Sequence, residues 1–415
     1  MTDLLVLACL AIGYGLISGR TQGTPLTGPI VFVTVGLGLG TVGMGLLTGT
    51  AVEPVVRILA ESTLVFVLFT DAVRIELPVL RREYGFPLRL LGIGMPLVIV
   101  GGTLAALALF PELEFWEAAV LAAVLAPTDA ALVAAVIADR RLPERIRQSL
   151  NVESGLNDGI ALPIVMVLLA LAASVEGDIG STAWWFGFAA RQIGLGVLVG
   201  VAVGAGGGWL LAKGAAAGWI SPDYLRLVVL GLAVLAYTGA ETVTGNGFVA
   251  AFVAGSSFGT LARPHAPHVH DFVEREGRLL SMLTFTLFAA VIIGPRLEEI
   301  DWRVLAYAVV SLVVVRPLAV VIAMTAARLR WETRLFLGWF GPRGLASILF
   351  ALLVVEQSGI ANADEILLVT STTVLLSVYA HGISAAPWGG GFARRAAGFA
   401  SSAPERLPVP RHRTR

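Results

Sequence analysis

Residues 151–159 read NVESGLNDG and run straight into the apolar stretch IALPIVMVLLALAA at 160–173. Two acids, Glu153 and Asp158, therefore sit at the head of a segment otherwise built for lipid. An ionisable group held deep in a bilayer costs several kcal/mol and marks function by default. On a helix, Ser154 and Asp158 are four residues apart and share one face, while Glu153 and Asn157 form the neighbouring stripe. One side of this segment is polar through a full turn.

The surrounding composition makes those acids anomalous. The 415 residues are 56% hydrophobic and only 14% charged, with a mean hydropathy of +0.83, against roughly 25% charged residues in soluble domains. The chain reads as an integral membrane protein whose first partner is the lipid bilayer. Acids and bases balance at 29 each, so no global field suggests nucleic acid or an acidic partner. Lys213 is the only lysine, and Cys9, the only cysteine, allows neither an intrachain disulfide nor a thiolate zinc cluster.

A helix needs about 20 apolar residues to cross a bilayer, and about thirteen candidates recur. They cover residues 3–18, 27–48, 54–72, 86–110, 115–139, 147–174, 184–212, 221–242, 245–262, 278–294, 302–328, 333–356 and 363–387. The N-terminal MTDLLVLACLAIGYGLISG lacks the basic region of a cleaved signal and reads as the first span. Connecting loops alternate in charge. RIELPVLRREYG, DRRLPERIR, RPHAPHVHDFVEREGR and RLRWETR are arginine-rich, whereas PELEFWE, VEGD, RLEEID and EQSGIANADE are acidic. The positive-inside rule puts the first set in the cytoplasm, with the N-terminus outside and the C-terminus cytoplasmic. Residues 389–415, ending APERLPVPRHRTR, read as a disordered cytoplasmic tail too short for a nucleotide-binding domain.

Two segments are interrupted. APTDAAL at 126–132 and FGPRGLAS at 340–347 each carry a proline and a charge at mid-membrane, and their spacing suggests two six-helix halves joined by the seventh span. An odd number of intervening spans inverts one half relative to the other. Paired broken helices in inverted halves point to a transporter's binding site. Pro127 removes a backbone donor, which frees Thr128, Asp129 and nearby carbonyls as hard oxygen ligands suited to alkali cations. Counting Asp129, Glu153, Asp158, Arg316 and Arg343 as buried leaves one negative charge, which one proton or one monovalent cation would neutralise.

With these residues in place the chain resembles the cation:proton antiporter superfamily, in particular its NhaP-like sodium/proton exchanger branch. ESGLND, APTDAAL upstream and GPRG downstream carry the resemblance, which spans nearly the whole chain. It implies an all-α polytopic fold of thirteen helices with crossing broken helices. It further implies a homodimer in which a core bundle (including 115–174 and 302–387) moves against a dimerisation part (including 1–48 and 184–262). By the same resemblance Asp158 is the essential aspartate after Asn157, Thr128 and Asp129 are the unwound-helix pair, and Glu153 and Ser154 are the Glu-Ser pair. Na⁺ or K⁺ is then expected at Asp158, Ser154, Asp129 and Thr128, and Arg316 and Arg343 are the charge partners of Glu153. The sequence departs from the branch at Ala130, where a proline is usual, and at Gly155, where a leucine is usual.

The function implied is exchange of a monovalent cation for H⁺, one for one and electroneutral, with no cofactor and no enzymatic step. Two other readings stand beside it. Asp129 and Asp158 on successive helices are also what an intramembrane aspartyl hydrolase would need, although its GxGD signature is absent; a passive cation channel is the third. Elsewhere, His265, His268, His270 and Asp271 read as a solvated cytoplasmic loop. Asp71 and Arg74 read as a local pair at a helix end, and Gly200, Gly204 and Gly208 as a close-packing stripe.

Overall fold

The computed structural model describes residues 2–21, 24, 26–47, 49–74, 85–176, 182–221, 224–262, 280–356, 360–400 and 402–407. Among these the chain is helical throughout. Its segments are α1 (Thr2–Thr21), α2 (Gly28–Leu39), α3 (Gly49–Arg74), α4 (Gly85–Leu109), α5 (Phe115–Val124), α6 (Ala134–Ala138), α7 (Glu144–Glu176), α8 (Thr182–Ala216), α9 (Leu225–Thr242), α10 (Gly247–Ala262), α11 (Leu280–Glu299), α12 (Trp302–Ala323), α13 (Trp331–Trp339), α14 (Leu345–Glu356) and α15 (Ala363–Ala397). By length and composition α4, α7, α8, α11, α12 and α15 are each able to cross a membrane.

The expected interruptions are real. The fifth apolar segment stops as helix at Val124 and resumes at Ala134, and the twelfth stops at Trp339 and resumes at Leu345. Pro127 and Pro342 each lack the N–H that would continue the ladder. The second segment, expected to run to residue 48, ends as helix at Leu39, where the glycine-rich GLGLGTVGMG turns the chain with Gly45 at φ +63°.

Proline also sets a feature that the hydropathy pattern does not show. One π-helical turn lies at Leu90–Gly94, another at Phe288–Ile293 and a third at Ser311–Val315. Each is followed one residue later by a proline, Pro96, Pro295 and Pro317. A proline ring clashes with the carbonyl four residues back, so the turn before it widens. In all three the residue preceding the proline donates its N–H five residues back: Met95 to Leu90, Gly294 to Ala289 and Arg316 to Ser311. The last of these turns the chain immediately before Arg316.

Glycine lets three helices approach closely. A Cβ at Gly200, Gly204 or Gly208 of α8 would fall on Ala250 or Val253, on Ala254, or on Leu261 of α10. On another side of α10, Gly255 and Gly259 lie against the carbonyls of Phe69 and Val73 of α3. The stripe is a packing surface, as the small-xxx-small spacing predicted.

The tail expectation is corrected for the described residues. α15 continues to Ala397, and residues 398–400 and 402–407 fold back on the bundle. Phe392, Ala393, Ala396 and Phe399 bury one face of this end, with Phe392 stacked 4.2 Å from Phe336. Glu405, only 1% exposed, accepts hydrogen bonds from Arg330 N–H (2.8 Å) and the Thr333 hydroxyl (3.0 Å) at the entrance to α13. Arg145 Nη1, at the start of α7, donates to Pro404 O at 3.0 Å. Arginine and proline content suggested a solvated tail, yet the apolar residues recur at helical spacing and cover a core face. Residues 408–415 of that expectation lie outside the described residues.

Glu405→Ala strips Thr333 of a buried acceptor, a loss of about 1–3 kcal/mol. The expected outcome is a lower apparent melting temperature in detergent; an unchanged transition would show that residues 398–407 add nothing to the fold.

Candidate functional site

The site is built where the two interruptions cross. Asp129 N–H donates to Pro342 O at 2.9 Å, and Leu345 N–H, at the start of α14, donates to Asp129 Oδ2 at 3.0 Å. Asp129 Oδ1 accepts from Ala131 N–H at 2.7 Å. The carboxylate thus closes its own loop and caps the opposite half-helix, where the positive end of the helix dipole favours an anion. Glycine makes the approach possible: a Cβ at Gly344 would overlap the Asp129 carboxylate, and one at Gly341 would overlap the Arg316 guanidinium. The two glycines of GPRG are spaces for a carboxylate and a guanidinium.

Thr128 joins this crossing to α7. Ser154 Oγ donates to Thr128 O at 2.6 Å, and Asn157 Nδ2 donates to Thr128 Oγ1 at 2.6 Å. Ser154 and Asn157 therefore serve one partner, although helical spacing assigned them to different stripes. Thr128, Ser154 and Asn157 are all buried.

Glu153 turns away from them. Its Oε1 lies 2.6 Å from Arg316 Nη2, both side chains being nearly inaccessible to solvent. The expectation that Arg343 also pairs with Glu153 is overturned. Arg343 Nη1 instead donates to Gly341 O at 2.7 Å, and its Nε and Nη2 have no hydrogen-bond partner among the described residues. The physical reason is the interruption itself, which leaves the Gly341 carbonyl beside the Arg343 side chain.

Asp158 differs from the other acids. It is 7% exposed, and its Oδ1 is buried with no hydrogen-bond donor among the described residues. Asn157 Oδ1 is likewise a buried acceptor without a donor among them. Among the described residues, the carboxylates of Asp71 and Asp129 lie near enough to act on Asp158. Its helix neighbour Gly159 admits the Phe252 ring of α10, which supplies an apolar wall. Two buried orphan oxygens on successive residues, one of them on a carboxylate, are suited to a proton or a hard cation.

Three things were not read from sequence. Asp129 was expected as an open cation ligand, but both its oxygens accept backbone N–H groups. Glu117 is buried on α5, where it accepts from Glu114 N–H, Asn362 N–H and Asn362 Nδ2. His381 is buried in α15 and faces the second interruption; the available signal was an ionisable residue within an apolar span. His265, His268, His270, Asp271 and the side chain of Arg74 lie outside the described residues.

Two discontinuous helices crossing, with carboxylate, hydroxyl and carbonyl oxygens gathered beside the crossing, are the arrangement that membrane transporter folds build around a binding site. The chain belongs to the sodium/hydrogen exchanger family, whose transmembrane profile matches residues 5–389. It is 25% identical over 278 residues to the K(+)/H(+) antiporter NhaP2 of Shewanella sp. (strain ANA-3), a match covering 66% of this chain and 47% of that relative. It is 26% identical over 385 residues to the K(+)/H(+) antiporter NhaP of Alkalimonas amylolytica, covering 92% of this chain and 65% of that protein. The chain spans about half the length of the first of these relatives and under two thirds of the second. Its fold matches that of the sodium proton antiporter MjNhaP1 from Methanocaldococcus jannaschii at pH 8, with a TM-score of 0.77 and 19% identity, covering 96% of this chain and 100% of the other. The hydrolase and channel readings find no support in this membership.

Removing one partner of a buried ion pair costs about 3–5 kcal/mol, because the other charge is stranded. Arg316→Ala should therefore lower the melting temperature strongly, and adding Glu153→Ala should restore part of the loss. Arg343→Ala, which breaks no ion pair with Glu153, should show a weaker dependence on it. Equal coupling of Glu153 to both arginines in a double-mutant cycle would contradict the observed pairing.

Proposed function

We propose that the chain exchanges a monovalent cation, Na⁺ or K⁺, for H⁺ across the cell membrane by alternating access, one for one and without net charge movement. The observation that carries this reading is the buried Asp158 carboxylate, one oxygen of which lacks a donor among the described residues while the carboxylates of Asp71 and Asp129 lie near it. Such a group needs either a proton or a cation. An isolated ion moved from water into an apolar medium is penalised by about 20 kcal/mol in the idealised limit and several in practice, so the empty charged site is not carried across and only occupied states cycle. Exchange without leak follows.

In this proposal the transported cation is substrate, held at Asp158 with oxygens of Asn157, Ser154 and Thr128 available around it. Asp129 contributes negative charge and holds the crossing. No cofactor enters, since proton and cation compete for one carboxylate. Relatives named for K⁺ and a structural neighbour named for Na⁺ support a monovalent cation of either kind. The protein is proposed to work as a homodimer, with the part that includes 1–48 and 184–262 as scaffold and the bundle that includes 115–174 and 302–387 as the moving body. The loop charge asymmetry supports an outside N-terminus and a cytoplasmic C-terminus.

The test is purified protein in liposomes, with an imposed pH gradient and each alkali ion supplied in turn. Na⁺ or K⁺ should dissipate the gradient, Asp158→Asn should abolish that flux while leaving folded yield unchanged, and clamping the membrane potential should leave the rate unaltered. Flux retained by Asp158→Asn would remove that residue from its role, and a rate that tracks voltage would refute electroneutral exchange.

A further inference from the structure

The residues that grip Asp129 are themselves held from behind by a group that the exchange reading does not use. His381 lies in α15, 1% exposed. Its Nε2 is 2.9 Å from Trp339 O, the last residue of α13. Nδ1 also lies 2.9 Å from a carbonyl, Ser377 O of the preceding turn, and a neutral ring has one N–H to give; the tautomer that donates from Nε2 bonds Trp339 O. On the other side of the ring, Nδ1 is 3.1 Å from Ser377 Oγ, and that oxygen accepts Arg343 N–H at 2.7 Å. His381 and Ser377 together hold one residue before the interruption and one within it. Trp339 reinforces the contact: its ring centroid is 4.9 Å from that of His381, and its Nε1 donates to Ser384 Oγ at 2.8 Å.

Between the two held points lie Phe340, Gly341 and Pro342, and immediately after them Gly344 and Leu345. Pro342 O and Leu345 N–H are the two groups that Asp129 engages. Asp129 is bonded to Thr128 through the chain, and Thr128 O and Oγ1 meet Ser154 and Asn157 beside Asp158. An unbroken sequence of short contacts runs from the His381 ring to the oxygens proposed to surround the cation. Non-helical backbone at membrane depth persists only where protein satisfies its polar groups, and here a side-chain ring bonds the final carbonyl of α13.

We propose that His381, acting with Ser377, is a positioning residue for cation exchange: it spans the α13–α14 interruption and fixes the placement of Asp129 and Thr128, and through them the cation affinity of the site. The inference rests on the exchange reading above. It assigns His381 no contact with the cation and no part in carrying the proton.

The test compares wild type, His381→Ala, His381→Gln and Ser377→Ala in liposomes, with alkali-cation titrations at fixed pH and melting measured with and without saturating cation. His381→Ala is expected to raise the half-saturating cation concentration about tenfold, the scale of one lost buried hydrogen bond, with the maximal rate close to wild type and cation-free melting lowered. His381→Gln, whose amide still donates toward Trp339 O, should recover most of the affinity, and Ser377→Ala should show a smaller shift in the same direction. An unchanged half-saturation in His381→Ala overturns the proposal, as does a loss of maximal rate alone or a glutamine variant no better than alanine. Should His381→Ala not fold, wild-type half-saturation in both other variants overturns it equally. A wild type without cation-dependent flux or melting would instead bring down the exchange reading, and this inference with it.

Discussion

Everything near the centre of this protein depends on one carboxylate set between two chain ends. At bilayer depth no water is present to satisfy a backbone N–H or C=O, so interrupting a helix strands polar groups at a cost of several kcal/mol each. Two interruptions are tolerated here because each supplies what the other lacks. Pro342 O receives Asp129 N–H, and Asp129 returns its own Oδ2 to Leu345 N–H. Glycine at 341 and 344 removes the Cβ atoms that would keep the strands apart. The crossing is therefore a mutual cap, and the hydroxyls and carbonyls around Thr128 are positioned as its by-product.

Charge is distributed around that crossing unevenly, and the unevenness is what makes a site. Glu153 is paired with Arg316 and Asp129 is hydrogen-bonded by backbone donors at a half-helix terminus, while among the described residues Arg343 keeps two nitrogens without partners and Asp158 keeps an oxygen without one. A sum over the five groups leaves a single negative charge, as the residue count suggested, but the sum conceals where it sits. Arg316 is committed to Glu153 and Arg343 is turned to Gly341 O, so among the described residues neither Asp129 nor Asp158 has an arginine partner. Two arginines thus shape the site without occupying it. Proline contributes at longer range: the widened turn before Pro317 immediately precedes the arginine that Glu153 meets.

Much of this was legible in the sequence. Membrane residence follows from apolar length, the interruptions from Pro127 and Pro342, the polar face of α7 from the four-residue spacing of Ser154 and Asp158, and the close packing of α8 on α10 from Gly200, Gly204 and Gly208. These are local properties, set within one turn or one span by covalent geometry and hydration. Sequence therefore determined the class of fold, the places where helices break and the candidate residues of the site.

Tertiary structure alone decided which of those residues touch. Glu153 and Arg316 are 163 positions apart, Asp129 and Leu345 are 216 apart, and no periodicity connects such distances. Composition likewise treated residues 389–407 as solvated, whereas Phe399 and Glu405 are buried against α13 and its entrance. His381 shows the same division: its buried place in an apolar span is written in the sequence, but its hold on Trp339 O exists only once α15 lies across the broken helix. The physical reason is that hydrophobic burial depends on residue type and spacing, while a hydrogen bond or ion pair is decided by a separation of about 3 Å that only the packed chain establishes.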